Sequence, residues 1–230
     1  IPYSYQAPSS YVQTNIVGTL NVLQSALEQG VERVVHTSTS EAYGTAQYVP
    51  IDEVHPLQGQ SPYSATKIGA DKLAESFHRS FGLPVATIRP FNTYGPRMRP
   101  KDGRVMPTFI SQALRGEPLT VFGEGQQTRS FCYYEDLIDG FYRLLLSGEN
   151  YPVNIGNANE ISMLELAQTI IRVTGSNSTI VYKPLPQDDP RLRRPDISRA
   201  TRILEWEAKV ALEAGLIKTI EYFKAEEEVV

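Results

Sequence analysis

The chain has 230 residues, 41% hydrophobic and 21% charged, and its 22 lysines and arginines against 26 aspartates and glutamates leave a formal net charge of −4. That is apolar material for one large core or one and a half small ones, with no basic excess to suit a nucleic acid backbone and no apolar run long enough for a membrane span. A single cysteine, Cys132, permits no internal disulfide and suits a reducing, cytoplasmic setting, and with only His36, His55 and His78 beside it a Cys/His zinc cluster is excluded.

Residues 1–10 have neither the charged nor the apolar region of a secretory signal and read as a loop entering a helix. Val12, Ile16, Leu20, Leu23 and Leu27 fall at helical spacing, which predicts a helix over 11–29 stopped by Gly30. Arg33–Thr37 reads as a buried strand, residues 40–62 as a loop, residues 63–81 as a helix ended by Gly82, and Pro84–Arg89 as a second buried strand. This alternation predicts α/β architecture around a parallel sheet. Residues 90–104, rich in proline, glycine and arginine, form an irregular segment of the kind that carries function.

Beyond it the pattern predicts a helix over Pro107–Arg115, a strand at Leu119–Phe122 and a turn to Gln127. A helix over 135–147 follows, with Leu137, Phe141, Leu144 and Leu145 on one face, then a strand at Val153–Ile155. Ser162 and Glu165 form a capping-box pattern opening a helix to Val173. A strand at Thr179–Tyr182 and two helices, around Ser198–Trp206 and Leu212–Phe223, close the chain before a fraying tail from Lys224 to Val230. A soft boundary near residue 90 separates a parallel α/β part from a smaller α+β part.

The sharpest chemical signal is Tyr63-Ser-Ala-Thr-Lys67. A tyrosine and a lysine at i and i+4 share one helix face. A phenol with a pKa of about 10 is a poor base at neutral pH, but a neighbouring ammonium favours the phenolate, so the pair suits proton removal from an alcohol as hydride leaves. The strand before it runs into Ser38-Thr39-Ser40-Glu41, three hydroxyls and a carboxylate at a strand end, where open α/β sheets place their sites. The second strand likewise ends in Pro90-Phe-Asn-Thr-Tyr-Gly-Pro-Arg97. His36 and Cys132 read as core residues and Trp206 as packing.

Taken together, the helix with Asn15-Ile-Val-Gly-Thr19, the loop Thr37–Gly44, Ser61-Pro-Tyr63-Ser-Ala-Thr-Lys67, Arg89-Pro-Phe-Asn92-Thr-Tyr-Gly-Pro96, Pro118–Gly125 with Gln127-Thr-Arg129, Val153-Asn-Ile-Gly156 and Arg193-Arg-Pro-Asp-Ile197 resemble the extended short-chain dehydrogenase/reductase family. These are the NAD-dependent epimerases and dehydratases of nucleotide sugars. The resemblance implies a partial Rossmann-like parallel sheet, with residues 1–90 as the C-terminal half of the NAD-binding domain and residues 91–230 as mainly the nucleotide-sugar-binding domain. Members of the family begin with a glycine-rich turn that holds the cofactor pyrophosphate; no such turn occurs here, and the first three strands of the sheet are expected to be absent. The chain alone is therefore expected neither to bind NAD tightly nor to turn over.

The resemblance further implies that NAD takes hydride from C4 of a hexose while Tyr63 takes the hydroxyl proton, and that the 4-keto sugar then decides the outcome. Thr39-Ser40-Glu41 matches the UDP-glucuronate decarboxylases, whereas dTDP-glucose 4,6-dehydratases carry an aspartate where Ser40 stands. Segments 102–105, 112–121, 127–131 and 188–197 look like those decarboxylases too, while 59–62 and 68–71 look more like the dehydratase and epimerase branches. A UDP-glucuronate decarboxylase is thus the first expectation, a 4,6-dehydratase or 4-epimerase the alternative, and a non-catalytic sugar-nucleotide-binding fragment the alternative of another class. The implied catalytic residues are Tyr63, Lys67, Thr39, Ser40 and Glu41. Ser38, Thr93 and Arg104 join Tyr63 and Lys67 at NAD. Asn92, Arg129, Arg193, Val121 and Phe122 are implied around the UDP-sugar, the arginines because a guanidinium grips oxyanions bidentately. A homodimer is expected through helices 11–29 and 63–81, with no metal, nucleic acid or membrane partner.

Overall fold

The computed structural model describes residues 1–100, 102–184 and 193–227. Residues 188–192 and 228–230, on which part of the decarboxylase-like segment and of the tail fall, lie outside the described residues.

Two short helices, α1 (Pro2–Gln6) and α2 (Pro8–Tyr11), each open on a proline, where the missing N–H costs no helix bond. The expected loop at the start is therefore helical. The chain then makes a π-helical turn over Val12–Val17 before α3 (Gly18–Glu28). The expected long helix is present but widened by this turn, from which Asn15 Nδ2 donates to Thr66 Oγ1 at 2.9 Å.

The sheet consists of β1 (Val34–Thr37), β2 (Val85–Pro90) and β7 (Val153–Ile155), all parallel, in the order β1-β2-β7. Side chains alternate across it. On one face Leu23 of α3 and Ala74 and Phe77 of α4 (Pro62–Phe81) pack with Leu83 and Val85. On the other, Ala86, Ile88, Val153 and Ile155 meet Leu144 of α6 (Tyr134–Leu146) and Ala200 and Leu204 of α8 (Ser198–Leu204), together with Trp206. Helix α4 is well specified locally: Ser61 and Ser64 cap each other reciprocally, Pro62 takes the first turn, and Gly82 closes it in the left-handed conformation.

A second core gathers α5 (Val105–Leu114), β4 (Leu119–Phe122), α7 (Met163–Thr174) and α9 (Leu212–Glu227) around Phe109, Ile110, Leu166, Ile170, Leu216 and Phe223. β4 pairs in parallel with β9 (Ile180–Lys183). Four short strands that no sequence pattern announced form two further pairs: β3 (Thr93–Tyr94) lies parallel to β6 (Cys132–Tyr133), and β5 (Thr128–Ser130) antiparallel to β8 (Glu160–Ser162). The boundary near residue 90 does not cut the chain into consecutive units, because β7, α6 and α8 return to the first sheet. Leu145 also departs from expectation: Leu137, Phe141 and Leu144 of α6 face the sheet, while Leu145 is turned outward and 42% exposed. Among the described residues no helix is long and apolar enough to cross a membrane.

Helix α9 passes so close to the second core that Gly215 has no room for a side chain: a methyl there would meet the Tyr94 hydroxyl and lie 2.8 Å from Tyr133 Cδ2. That hydroxyl donates to the Leu212 carbonyl at 3.0 Å, so it cannot swing away freely. Gly→Ala in a helix gains about 1 kcal/mol of propensity, and overpacking a buried contact costs about 1–3 kcal/mol. Gly215→Ala is therefore expected to lower stability, by up to about 2 kcal/mol; a raised midpoint in urea unfolding of the complete protein would contradict this packing.

Candidate active site

Because β1 and β2 are parallel neighbours, the residues after each of them emerge at the same edge of the sheet. After β1 the chain passes through Ser38 and Thr39 into a single 3-10 turn, Ser40–Tyr43. Thr39 caps that turn, its Oγ1 accepting from the Glu41 amide at 3.2 Å. Across from it, the first turn of α4 presents Tyr63, and the Thr39 hydroxyl hydrogen-bonds the phenol oxygen. One turn further on, Lys67 Nζ donates to the Thr37 carbonyl at the end of β1. The structure thus brings Thr39, Tyr63 and Lys67 together.

Burial pushes the Tyr63 phenol above its ordinary range; the Thr39 hydrogen bond pulls it down, and the charges of Glu41 and Asp71 push it further up. Burial lowers Lys67 from the usual lysine range, with Asp71 opposing the shift. Tyr11 of α2 covers the other side of Tyr63, edge to face at 6.0 Å.

Glu41 is paired with Arg193, whose Nη1 donates to Glu41 Oε1 and whose Nη2 reaches the Gly44 carbonyl at 3.5 Å. The guanidinium is 7% exposed and the carboxylate 27%. The pairing spans most of the chain, and a backbone clip makes it possible: the Ile51 amide donates to the Arg194 carbonyl and the Asp196 amide to the Ile51 carbonyl, both at 2.8 Å. Ser40 is buried beside them. The Ser38 hydroxyl is buried without a hydrogen-bond partner of its own.

The remaining expected residues are distributed more widely. Asn92, just past β2, donates from Nδ2 to the Ser130 carbonyl at 3.3 Å. Thr93 Oγ1 donates to the Phe91 carbonyl at 2.9 Å. Arg129 lies on β5, one guanidinium nitrogen on the Thr128 carbonyl at 2.8 Å. Arg104 stands at the start of α5, exposed and paired with Asp102. Val121 is buried in the second core, while Phe122, on the opposite face of β4, is exposed.

Beneath the site lies a buried polar layer that the sequence did not announce. Asp71, on the Tyr63–Lys67 face of α4, takes Arg89 Nε on Oδ2 and His36 Nε2 on Oδ1, each at 3.2 Å. Arg89 also donates to the Tyr43 hydroxyl at 3.1 Å and to the Glu53 carbonyl at 3.3 Å. Tyr43 in turn donates to Asn154 Oδ1 on β7 at 2.7 Å, and burial pushes that phenol up to about 12. The available signals were the four-residue step from Lys67 to Asp71 and a charge, Arg89, inside an apolar run; nothing local marked Asn154.

The model of the GDP-mannose 4,6-dehydratase family matches residues 1–219. The chain belongs to that family. UDP-glucuronic acid decarboxylase 3 of Arabidopsis thaliana is 45% identical over 219 residues, covering 93% of this chain and 64% of the relative. A UDP-glucose 4-epimerase of Thermotoga maritima, solved with UDP-glucose, superposes with a TM-score of 0.92 at 33% identity, covering 97% of this chain and 74% of that one. A dTDP-glucose 4,6-dehydratase of Streptomyces venezuelae, solved with NAD bound, gives a TM-score of 0.89 at 29% identity, with 100% and 71% covered. The chain therefore spans just under two thirds of its decarboxylase relative and roughly seven tenths of its family's solved structures. The α/β sheet with its parallel strands is the fold of those epimerases and dehydratases.

The Thr39 hydroxyl is a donor that favours the Tyr63 phenolate. A hydrogen bond to a charged group is worth about 1.5–3 kcal/mol, and about 1.4 kcal/mol is one pKa unit. Thr39→Val is therefore expected to raise the Tyr63 titration midpoint by about one pH unit. The check is carbon NMR of ring-labelled tyrosine, with the resonance assigned by its loss in Tyr63→Phe.

Proposed function

We propose that the complete protein is an NAD-dependent nucleotide-sugar enzyme acting through a 4-keto intermediate, and that its substrate is UDP-glucuronate, which it decarboxylates. The observation that carries this reading is the pair formed by the buried Arg193 and the half-buried Glu41, set beside the hydrogen-bonded Thr39 and Tyr63. It is supported by 45% identity to a UDP-glucuronic acid decarboxylase.

The residues present suit the nicotinamide end of NAD: the buried Ser38 hydroxyl lacks a hydrogen-bond partner, and Tyr63 and Lys67 are half-buried beside it. Ser38, Tyr63 and Lys67 would hold it, with Thr93 and Arg104 assigned there by family resemblance alone. When bound, NAD supplies the acceptor and later the donor of the C4 hydride. Tyr63 takes the C4 hydroxyl proton, Lys67 lowers the cost of the phenolate by its charge, and Thr39 holds the C4 oxygen. With C4 a ketone, the C6 carboxylate belongs to a β-keto acid; the C5–C6 bond breaks, carbon dioxide leaves, and the electron pair remains as an enolate. Glu41 relays the proton that C5 then takes up, and Ser40 packs behind it. Arg193 takes the substrate carboxylate or diphosphate, and Asn92, Arg129 and Phe122 the nucleotide. A guanidinium already engaged by one carboxylate is positioned for a second, so substrate and Glu41 share it.

The same proposal includes a homodimer through α3 and α4. Leu23, expected to contribute, is spent on the chain's own core, but Val22 and Leu27 of α3 and Phe81 of α4 remain exposed. Light scattering at micromolar concentration is expected to give the dimer mass, and a monomer there would remove this part. A cytoplasmic location is proposed on the single buried thiol, Cys132.

The deciding experiment gives the complete protein UDP-glucuronate and NAD and measures carbon dioxide. Release is expected. Glu41→Gln is expected to slow turnover roughly 10²–10⁴-fold with little loss of UDP-sugar binding, whereas Arg193→Ala damages both. A protein that releases no carbon dioxide but converts UDP-N-acetylglucosamine or UDP-glucose to a 4-keto-6-deoxy sugar is a dehydratase, the reading favoured by the family whose model it matches.

A further inference from the structure

We propose that Asp71 is a positioning residue for the Tyr63–Lys67 pair: the buried counter-charge that keeps the Lys67 ammonium protonated and docked on the Thr37 carbonyl. The inference rests on the reading of that pair as the groups that handle the substrate proton.

The geometry begins with α4. Tyr63, Lys67 and Asp71 succeed one another at steps of four residues and so share one helix face. Asp71 is 3% exposed, and both of its oxygens are held from the sheet, Oδ1 by His36 of β1 and Oδ2 by Arg89 of β2. A carboxylate anchored twice from one side cannot turn away from the lysine one turn before it. Lys67, half-buried, donates to a main-chain carbonyl, a neutral acceptor that does not fully repay the hydration its ammonium gives up. The charge that opposes its deprotonation is Asp71.

Other charges near the group come from every element packed on it. Glu41 and Arg193 form their own pair beyond Thr39, Tyr11 of α2 borders Tyr63, and Glu75 of α4 is engaged with Lys72 and Arg79. Arg89 is divided among Asp71, the Tyr43 hydroxyl and the Glu53 carbonyl, and its guanidinium stands 5.1 Å from the centre of the Tyr43 ring. Burial pushes the Asp71 carboxyl up, but the His36 hydrogen bond and the Arg89 charge more than offset it, so the group stays ionised below the ordinary aspartate range. Of the charges in this layer, the ionised Asp71 is the one that opposes loss of the Lys67 proton.

A plainer role is available to the same residue: a buried Asp–Arg pair pins a helix to a strand whether or not a lysine stands nearby. The two roles part in one measurement, the protonation of Lys67 itself. Competitive trace acetylation of the complete protein across pH, read by mass spectrometry on the peptide carrying Lys67, gives its midpoint without requiring turnover. In Asp71→Asn the Lys67 midpoint is expected to fall by roughly one pH unit, with Lys72 unmoved as an internal control, and in Asp71→Glu to stay near that of the parent. Should Asp71→Asn fail to fold because Arg89 is left without a counter-charge, Asp71→Asn/Arg89→Gln removes both buried charges, and the same fall is expected. A folded variant without the Asp71 carboxylate whose Lys67 titrates as in the parent overturns the proposal. In a protein that converts UDP-glucuronate, the alkaline limb of the pH–rate profile moves down with the same midpoint. A parent protein that converts no nucleotide sugar defeats the functional reading, while the acetylation midpoints still decide the role of Asp71.

Discussion

A guanidinium enclosed between a helix and a sheet has to be neutralised and to find hydrogen-bond acceptors, and the arrangement around Arg89 supplies a carboxylate, a hydroxyl and a carbonyl. Its partners come from different stretches of chain: the carboxylate from α4, a hydroxyl from the turn after β1, and a carbonyl from the loop beyond it. Each partner is held in turn, Asp71 by His36 and Tyr43 by Asn154. One buried charge therefore fixes how far α4 is rotated, where the loop after β1 lies, and how β7 sits beside β2. The Tyr63–Lys67 face of α4 meets Thr37 and Thr39 because that rotation leaves it no other direction.

The electrostatics of the upper layer are then set by burial. Tyr63 and Lys67 are both pushed toward their neutral forms by loss of water. The two shifts run in opposite directions, the phenol rising while the ammonium falls. Glu41, held by Arg193, keeps its charge from dominating the phenol, because much of its field ends on the guanidinium. Local packing thus does for the tyrosine what no residue type could do alone.

What the sequence disclosed, and what it hid, divides along the range of the interaction. The strands, helix α4 and its boundaries were legible because apolar runs, the Ser61 cap and Gly82 act over a few residues. Tyr63 and Lys67 declared themselves by helical spacing. The Glu41–Arg193 contact was reached through family resemblance only as two separate residues, since nothing local shows that Ile51 and Asp196 clip the two segments together. The π-helical turn reads as regular helix from its apolar spacing, although Val12, Ile16 and Leu20 advance by two steps of four where an α-helix turns every 3.6 or so. Leu145 takes its expected place from the company it keeps in sequence, and the error is one of facing: a helix stripe has an edge, so a neighbour of a correctly placed residue can point the other way.

The strand order carries a consequence for synthesis. β1 and β2 are close in sequence and can pair as soon as residue 90 is made, but β7, which covers the other edge of β2, is not complete until residue 155. At elongation rates of about 5–20 residues per second, β2 waits several seconds with one edge of its backbone unpaired, and an unpaired parallel edge invites association with a neighbouring nascent chain. Arg89 and Pro90 at the end of that strand are poor partners for such an encounter: a charged side chain discourages strand addition and a proline cannot donate to it. The charge that later anchors the finished site can in this way act as a guard while the sheet is still incomplete.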